Sequence, residues 1–177
     1  MSKNNNAILA LNGDFYGYRE QGIVVRNGMV YRTEIWEDAC VLYYNGVMET
    51  YSATEFDMKT AIDNGAWQAW SFGPAFLDKD GKAKTGFDST INGLHPRSAI
   101  GYYEPGHYCF VAIDGRQTGH SVGMSFEDMA KLFEEMGCKA AYNLDGGKTS
   151  VMAFMHKVYN SPYEGGRKCS DIVFIGE

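Results

Sequence analysis

Ala140-Ala141-Tyr142-Asn143-Leu144-Asp145-Gly146-Gly147-Lys148-Thr149-Ser150 is the stretch on which the reading of this chain turns. Ala140–Leu144 reads as a short buried strand. Asp145 then meets two glycines, whose missing Cβ atoms let the backbone turn sharply and approach a ligand closely. Lys148, Thr149 and Ser150 add a cation and two hydroxyls. An acid, a cation, hydroxyls and backbone amides so close together suit a phosphorylated or polyhydroxylated ligand. The same residues also suit a tight turn whose polar side chains face water. They do not form a P-loop, because Tyr142 stands where that motif needs its first glycine and no helical pattern follows.

Upstream of this strand, Phe126, Met129, Ala130, Phe133 and Met136 recur at the helical period. Ser125 caps that run and Gly137 ends it, which predicts a helix over 125–136 with Glu127, Asp128, Glu134 and Glu135 on a solvated face. Tyr108–Ile113 is an apolar strand ending in Asp114, which is either a turn aspartate or a catalytic carboxylate at a strand end. His95–Gly101 begins another strand. Arg97 at its mouth either sits in solvent or grips an anion through paired hydrogen bonds.

Further out, Ala7–Leu11 is apolar on both alternations, which predicts a strand internal to its sheet. It opens into Asn12-Gly13-Asp14-Phe15-Tyr16, where Asn12 and Asp14 are site candidates or simply an Asx turn. Asn27-Gly28 and Asn45-Gly46 each mark a hairpin. Ser52-Ala53-Thr54-Glu55 has capping-box spacing and predicts a helix over 54–63. Residues 82–94 lack any period and read as a long loop, either a flap or a surface excursion. Val151–Met155 and Ile172–Ile175 are further strands, with turns at Asn160-Ser161-Pro162 and Gly165-Gly166-Arg167. The expected fold is α/β in the α+β sense: one domain over 1–177, a mixed β-sheet of many short strands, and two main helices.

The 177-residue length supports one domain with a real core. A net charge of -6 supplies no basic stripe, which argues against nucleic acid as the main partner. No apolar run is long enough to span a membrane. Residues 1–6 carry no signal peptide, and the abrupt start of an apolar strand at Ala7 is what N-terminal truncation would look like. The four cysteines, Cys40, Cys109, Cys138 and Cys169, show no C-x-x-C and hence no zinc or thioredoxin signal. The four histidines have no ligand spacing, so no metal is implied, although oxygen ligands at Asp114 or Asp145 would suit calcium or magnesium.

Several motifs follow one another in a specific order: Asn12-Gly13-Asp14-Phe15-Tyr16, Ser71-Phe72-Gly73-Pro74, Pro96-Arg97-Ser98-Ala99-Ile100-Gly101, Asp114-Gly115-Arg116, Gly123-Met124-Ser125, Asn143-Leu144-Asp145-Gly146-Gly147 and Asn160-Ser161-Pro162. Together they resemble the phosphodiester glycosidase family, and the chain looks like a bacterial member. The resemblance runs from Ala7 to Ile175. It departs from the family pattern where Lys148-Thr149-Ser150 replace the usual Gly-Ser-Ser, which bears on substrate more than on fold.

The resemblance implies hydrolysis of a sugar-1-phosphodiester of the N-acetylglucosamine-1-phosphodiester kind at its anomeric carbon. It also implies an extracellular or cell-envelope location. Asp145 and Asp114 are then the candidate carboxylates for the sugar side, and Arg97 the candidate clamp for phosphate. Gly146, Gly147, Lys148 and Thr149 would add donors, while Asn12, Asp14 and Asn143 would help fix the substrate. The expected partner is a phosphorylated sugar or glycan. A non-catalytic glycan- or phosphate-binding envelope module is the alternative. It would keep the glycine loop and need no working carboxylate.

Overall fold

The computed structural model of the chain describes residues 1–176. β1 (Ala7–Asn12) comes first, followed by two hairpins. β2 (Val24–Arg26) and β3 (Met29–Arg32) meet across Asn27-Gly28, and β4 (Ala39–Tyr43) and β5 (Met48–Tyr51) across Asn45-Gly46. α1 (Met58–Asp63), β6 (Ala66–Trp70), β7 (Arg97–Glu104) and β8 (His107–Ile113) follow. α2 (Phe126–Glu135), β9 (Ala140–Leu144), β10 (Met152–Phe154), β11 (Lys157–Val158) and β12 (Ile172–Gly176) complete the order. This is the expected α+β arrangement of many short strands and two helices.

The strands divide among three sheets, ordered β11-β10-β1-β12, β3-β2-β6-β4-β5 and β8-β7-β9. Among the described residues every strand pairing is antiparallel. β1 is internal, between β10 and β12, as its apolar run implied. Ala7, Ala10 and Leu11 are buried, whereas Ile8 is exposed, so β1 is not covered on both faces along its whole length.

α1 starts later than its sequence suggests. Ser52 and Glu55 do bond to each other, the Ser52 hydroxyl donating to Glu55 Oε2 at 2.7 Å, but they close a turn. The helix is capped by Asp57, whose Oδ1 accepts from Thr60 N at 2.7 Å. Phe56 packs edge-on against Tyr51, with ring centroids 5.8 Å apart, and this anchors the residues between turn and helix outside the helical path.

α2 follows its periodicity closely, with Ser125 Oγ accepting from Asp128 N at 3.1 Å. Its Phe126, Met129, Ala130 and Phe133 bury against Phe76, Ala99 and Ala141. Burying each phenylalanine contributes roughly 1.5–3 kcal/mol, more than any propensity in a helix this short. A second core joins the sheets through Leu11, Trp70, Ile100, Tyr142 and Leu144. A third seats α1 through Ala61 against Ile23, Val25, Val41 and Ala69. Residues 82–94 contain no helix or strand, and Phe87 fastens that loop against Phe76 and Phe126. No helix of the described residues is long and apolar enough to cross a membrane.

Candidate active site

The mouth of β7, the ends of β1 and β9 and the start of β10 converge. The β7–β9 register sets Ser98 opposite Leu144, so Arg97 and Ser98 lie beside the strand that delivers Asp145. Asn12, at the end of β1, ties the junction together. Its Nδ2 donates to the Asp145 carbonyl at 2.5 Å, and its Oδ1 accepts from Ser98 Oγ at 2.6 Å and Val151 N at 3.1 Å. Ser150 Oγ lies 2.9 Å from Ser98 Oγ and donates to the Arg97 carbonyl at 2.6 Å. With Ser98 donating to Asn12 and Ser150 to Arg97, both hydroxyl protons are spent, so the Ser98–Ser150 contact is a close approach of two oxygens within a buried network.

On this base sits the Asp145 loop. Gly146 is required by space, since a Cβ there would stand 2.7 Å from the Pro96 carbonyl oxygen. Asp145 Oδ2 accepts from Arg167 Nη2 at 3.1 Å, and Arg167 Nε also donates to the Thr149 hydroxyl. Burial pushes the Asp145 carboxyl above the usual aspartate range, against the opposing pull of the Thr149 hydroxyl, Arg167 and the Gly146 N–H. The Asp145 side chain is 9% exposed and that of Arg167 39%, so the pair sits at the surface edge of a buried network. A carboxyl with a raised proton affinity beside a partly exposed cation can exchange a proton and bind an anion in the same place.

The other sequence candidates are distributed around this centre. Arg97 is buried and stacks 4.1 Å over Phe126. It donates to the carbonyls of Met124 at 2.9 Å, Ile91 at 2.6 Å and Gly93 at 2.5 Å. Its hydrogen bonds therefore hold the long loop to the start of α2, and the clamp on an anion read from the sequence is not what these bonds form. Asp114 accepts from His120 Nε2 at 2.9 Å, Asn160 Nδ2 at 2.9 Å and Ser161 N at 3.0 Å. Burial would raise its carboxyl, but these bonds outweigh that and hold it below the ordinary value. Asn160 also donates to the Ser150 carbonyl at 3.1 Å, which links Asp114 to the loop indirectly.

Asp14 is buried and takes Arg19 Nη2 on both oxygens, at 2.9 and 3.0 Å, together with the N–H groups of Phe15 and Ser71. Asn143 donates to the Gly73 carbonyl at 2.7 Å, and its buried Oδ1 has no partner. Gly147 N is spent on the Pro96 carbonyl at 2.9 Å, so it is not an open donor. Lys148 reaches Glu164 at 2.7 Å. Asp114 and Asp145 each offer carboxylate oxygens to a hard cation, but among the described residues no group of three acidic, histidine or cysteine side chains surrounds one point.

Arg167 escaped the sequence reading, where it was only the end of a Gly165-Gly166 turn. Phe15 and Tyr18 also join the centre: the Arg167 guanidinium lies 5.4 Å and 5.7 Å from their ring centroids, and the two rings stack at 5.0 Å. Nothing in local periodicity marks these residues, because the contacts join segments from opposite ends of the chain.

The chain is 33% identical over 177 residues to the SPβ prophage-derived uncharacterized protein YomE of Bacillus subtilis (strain 168), a match that covers 93% of this chain and 27% of that protein. In structure it is similar to the catalytic domain of zebrafish N-acetylglucosamine-1-phosphodiester α-N-acetylglucosaminidase auto-inhibited by its pro-peptide. That likeness has a TM-score of 0.79 at 20% identity, over 99% of this chain and 65% of the other. A hypothetical protein from Synechocystis is similar with a TM-score of 0.63 at 13% identity, over 97% of this chain and 52% of the other. At those identities the structural likeness concerns the fold, and the chain spans less than two thirds of each of these three proteins. The phosphodiester glycosidase family model matches residues 5–176, and the chain belongs to that family.

Proposed function

We propose that this domain hydrolyses a glycosyl phosphodiester at the anomeric carbon and releases a sugar and a phosphomonoester. The observation that carries the reading is the Asp145 carboxyl held between the Thr149 hydroxyl and the Arg167 guanidinium. The phosphodiester carries negative charge that grows on the leaving oxygen as the anomeric bond breaks. Arg167 meets it, with Arg116, whose guanidinium would stand 3.2 Å from a Cβ at Gly147, adding positive field around the glycine loop. Asp145 faces the sugar side, takes a proton from the attacking water, and its charge favours the oxocarbenium-like transition state. The water oxygen bonds to the anomeric carbon, and the electron pair of the broken carbon–oxygen bond leaves with phosphate.

In this reading Asn12, Asp14, Asp114 and Arg97 act by holding the loops that frame the site. The sugar lies against the Phe15 and Tyr18 rings, aromatic faces being suited to sugar C–H surfaces. A substrate related to N-acetylglucosamine-1-phosphodiester fits these groups. Hydrolysis in heavy-oxygen water tests the bond choice: the label should appear in the sugar. Label in the phosphate would reject the glycosidase reading in favour of a phosphodiesterase. Tight binding with no turnover would favour the non-catalytic module.

A further inference from the structure

Cys109 and Cys138 are 29 residues apart in sequence, yet their sulfurs lie 3.8 Å from each other. Cys109 is on β8, and Cys138 joins α2 to β9. Gly101, on the intervening β7, pairs with Cys109 on one side and Ala141 on the other. A Cβ at Gly101 would fall 2.6 Å from the Cys109 sulfur and 2.9 Å from that of Cys138, so the glycine opens the space in which the two meet. Neither cysteine serves the Asp145 site. Cys138 is buried, Cys109 is partly exposed, and Cys40 is buried with no cysteine beside it.

We propose that Cys109 and Cys138 form an oxidisable pair, a modification site at which a peroxide-class oxidant closes a disulfide across β7. The partly exposed Cys109 thiolate attacks the peroxide oxygen, which forms a sulfenic acid and expels hydroxide. The Cys138 sulfur then displaces water from Cys109, forming the sulfur–sulfur bond, and the proton lost from Cys138 leaves with that water. Two thiols are oxidised and one peroxide is reduced to water. Cys109 goes first because hydrogen bonds from Cys138 and Tyr103 draw its thiol down to about 7, whereas Cys138 is pushed up by the same coupling and by burial.

The test is to expose the purified chain to hydrogen peroxide, remove it, and digest without reductant for mass analysis. The expected product is lighter by two hydrogens, contains one cross-linked peptide joining Cys109 to Cys138, melts roughly 5–10 °C higher, and reverts with dithiothreitol. In Cys138→Ser, Cys109 should instead accumulate as a sulfenic acid that dimedone traps. Cys109 and Cys138 both still open to alkylation in the treated wild type, so that all four cysteines are labelled, would overturn the proposal. So would a bridge to Cys40 or Cys169, or oxidation of Cys109 beyond the sulfenic stage without bridging. The wild-type readout stands even if the variant does not fold.

Discussion

The side-chain amide of Asn12 donates to the main-chain carbonyl of Asp145 at 2.5 Å, across 133 residues of sequence. The bond sets where β9 stops and where the Asp145 side chain emerges. Asn12→Leu keeps the number of side-chain heavy atoms and leaves the Asp145 carbonyl and Val151 N without their partner, while the Ser98 hydroxyl can turn to Ser150 Oγ at 2.9 Å. Each unpaired group costs about 1–3 kcal/mol, so the variant should lose at least about 2 kcal/mol in urea unfolding, together with activity. A loss within error of zero would show that the junction rearranges freely.

Asp145→Asn retains size and removes the charge. Turnover should fall by roughly 10²–10⁴-fold, as for loss of an acid–base group, while the melting profile stays cooperative. Undiminished turnover in a folded variant would move the chemistry away from Asp145, with Asp114 the next residue to test.

Arg167→Lys leaves a cation but cannot serve both Thr149 and Asp145 through a planar fork. We expect kcat/KM to fall at least about tenfold. Arg97→Lys should behave differently, since the lost bonds go to the carbonyls of Ile91, Gly93 and Met124. It should lose about 1–3 kcal/mol of stability and keep near-native kcat at temperatures where it is folded. A catalytic defect at full stability would instead give Arg97 a direct part in binding phosphate.

The two aspartates should leave opposite marks on stability against pH. Asp114 is held below the ordinary 3.8, so the unfolded chain binds the proton more readily. Its contribution is complete above 3.8 and disappears as pH falls through the folded value. Asp145 is raised above 3.8, so its contribution is complete below that value and is lost as pH rises through the folded one. Melting curves across the acid range should therefore show Asp114→Asn with a shallower acid limb than the wild type. Asp145→Asn should gain relative to the wild type as pH rises above 3.8. Parallel curves for all three proteins would contradict both assignments.

Exhaustive chelation should leave turnover unchanged if, as we propose, Arg167 and the neighbouring Arg116 meet the phosphate charge without a metal. Loss restored by calcium or magnesium would instead place a hard cation at Asp114 or Asp145.

Much of the fold was legible locally. α2 followed from Ser125, the Phe126–Phe133 period and Gly137, because a short helix is set by its cap and by one apolar stripe. The two Asn-Gly hairpins followed from turn chemistry, and the internal place of β1 from its apolar run. α1 was less legible, since Ser52-x-x-Glu55 satisfies a turn as well as a cap, and the packing of Phe56 on Tyr51 settled which. For the site, order of motifs indicated the family, and Asp145 was visible as an acid at a glycine-broken strand end. Roles were not visible, because a hydrogen-bonding group takes its function from whichever partner the fold brings within about 3 Å. Tertiary structure turned Arg97 onto three carbonyls, spent Gly147 N on Pro96, wrapped Asp114 in donors, and brought Arg167 from a distant turn onto Asp145.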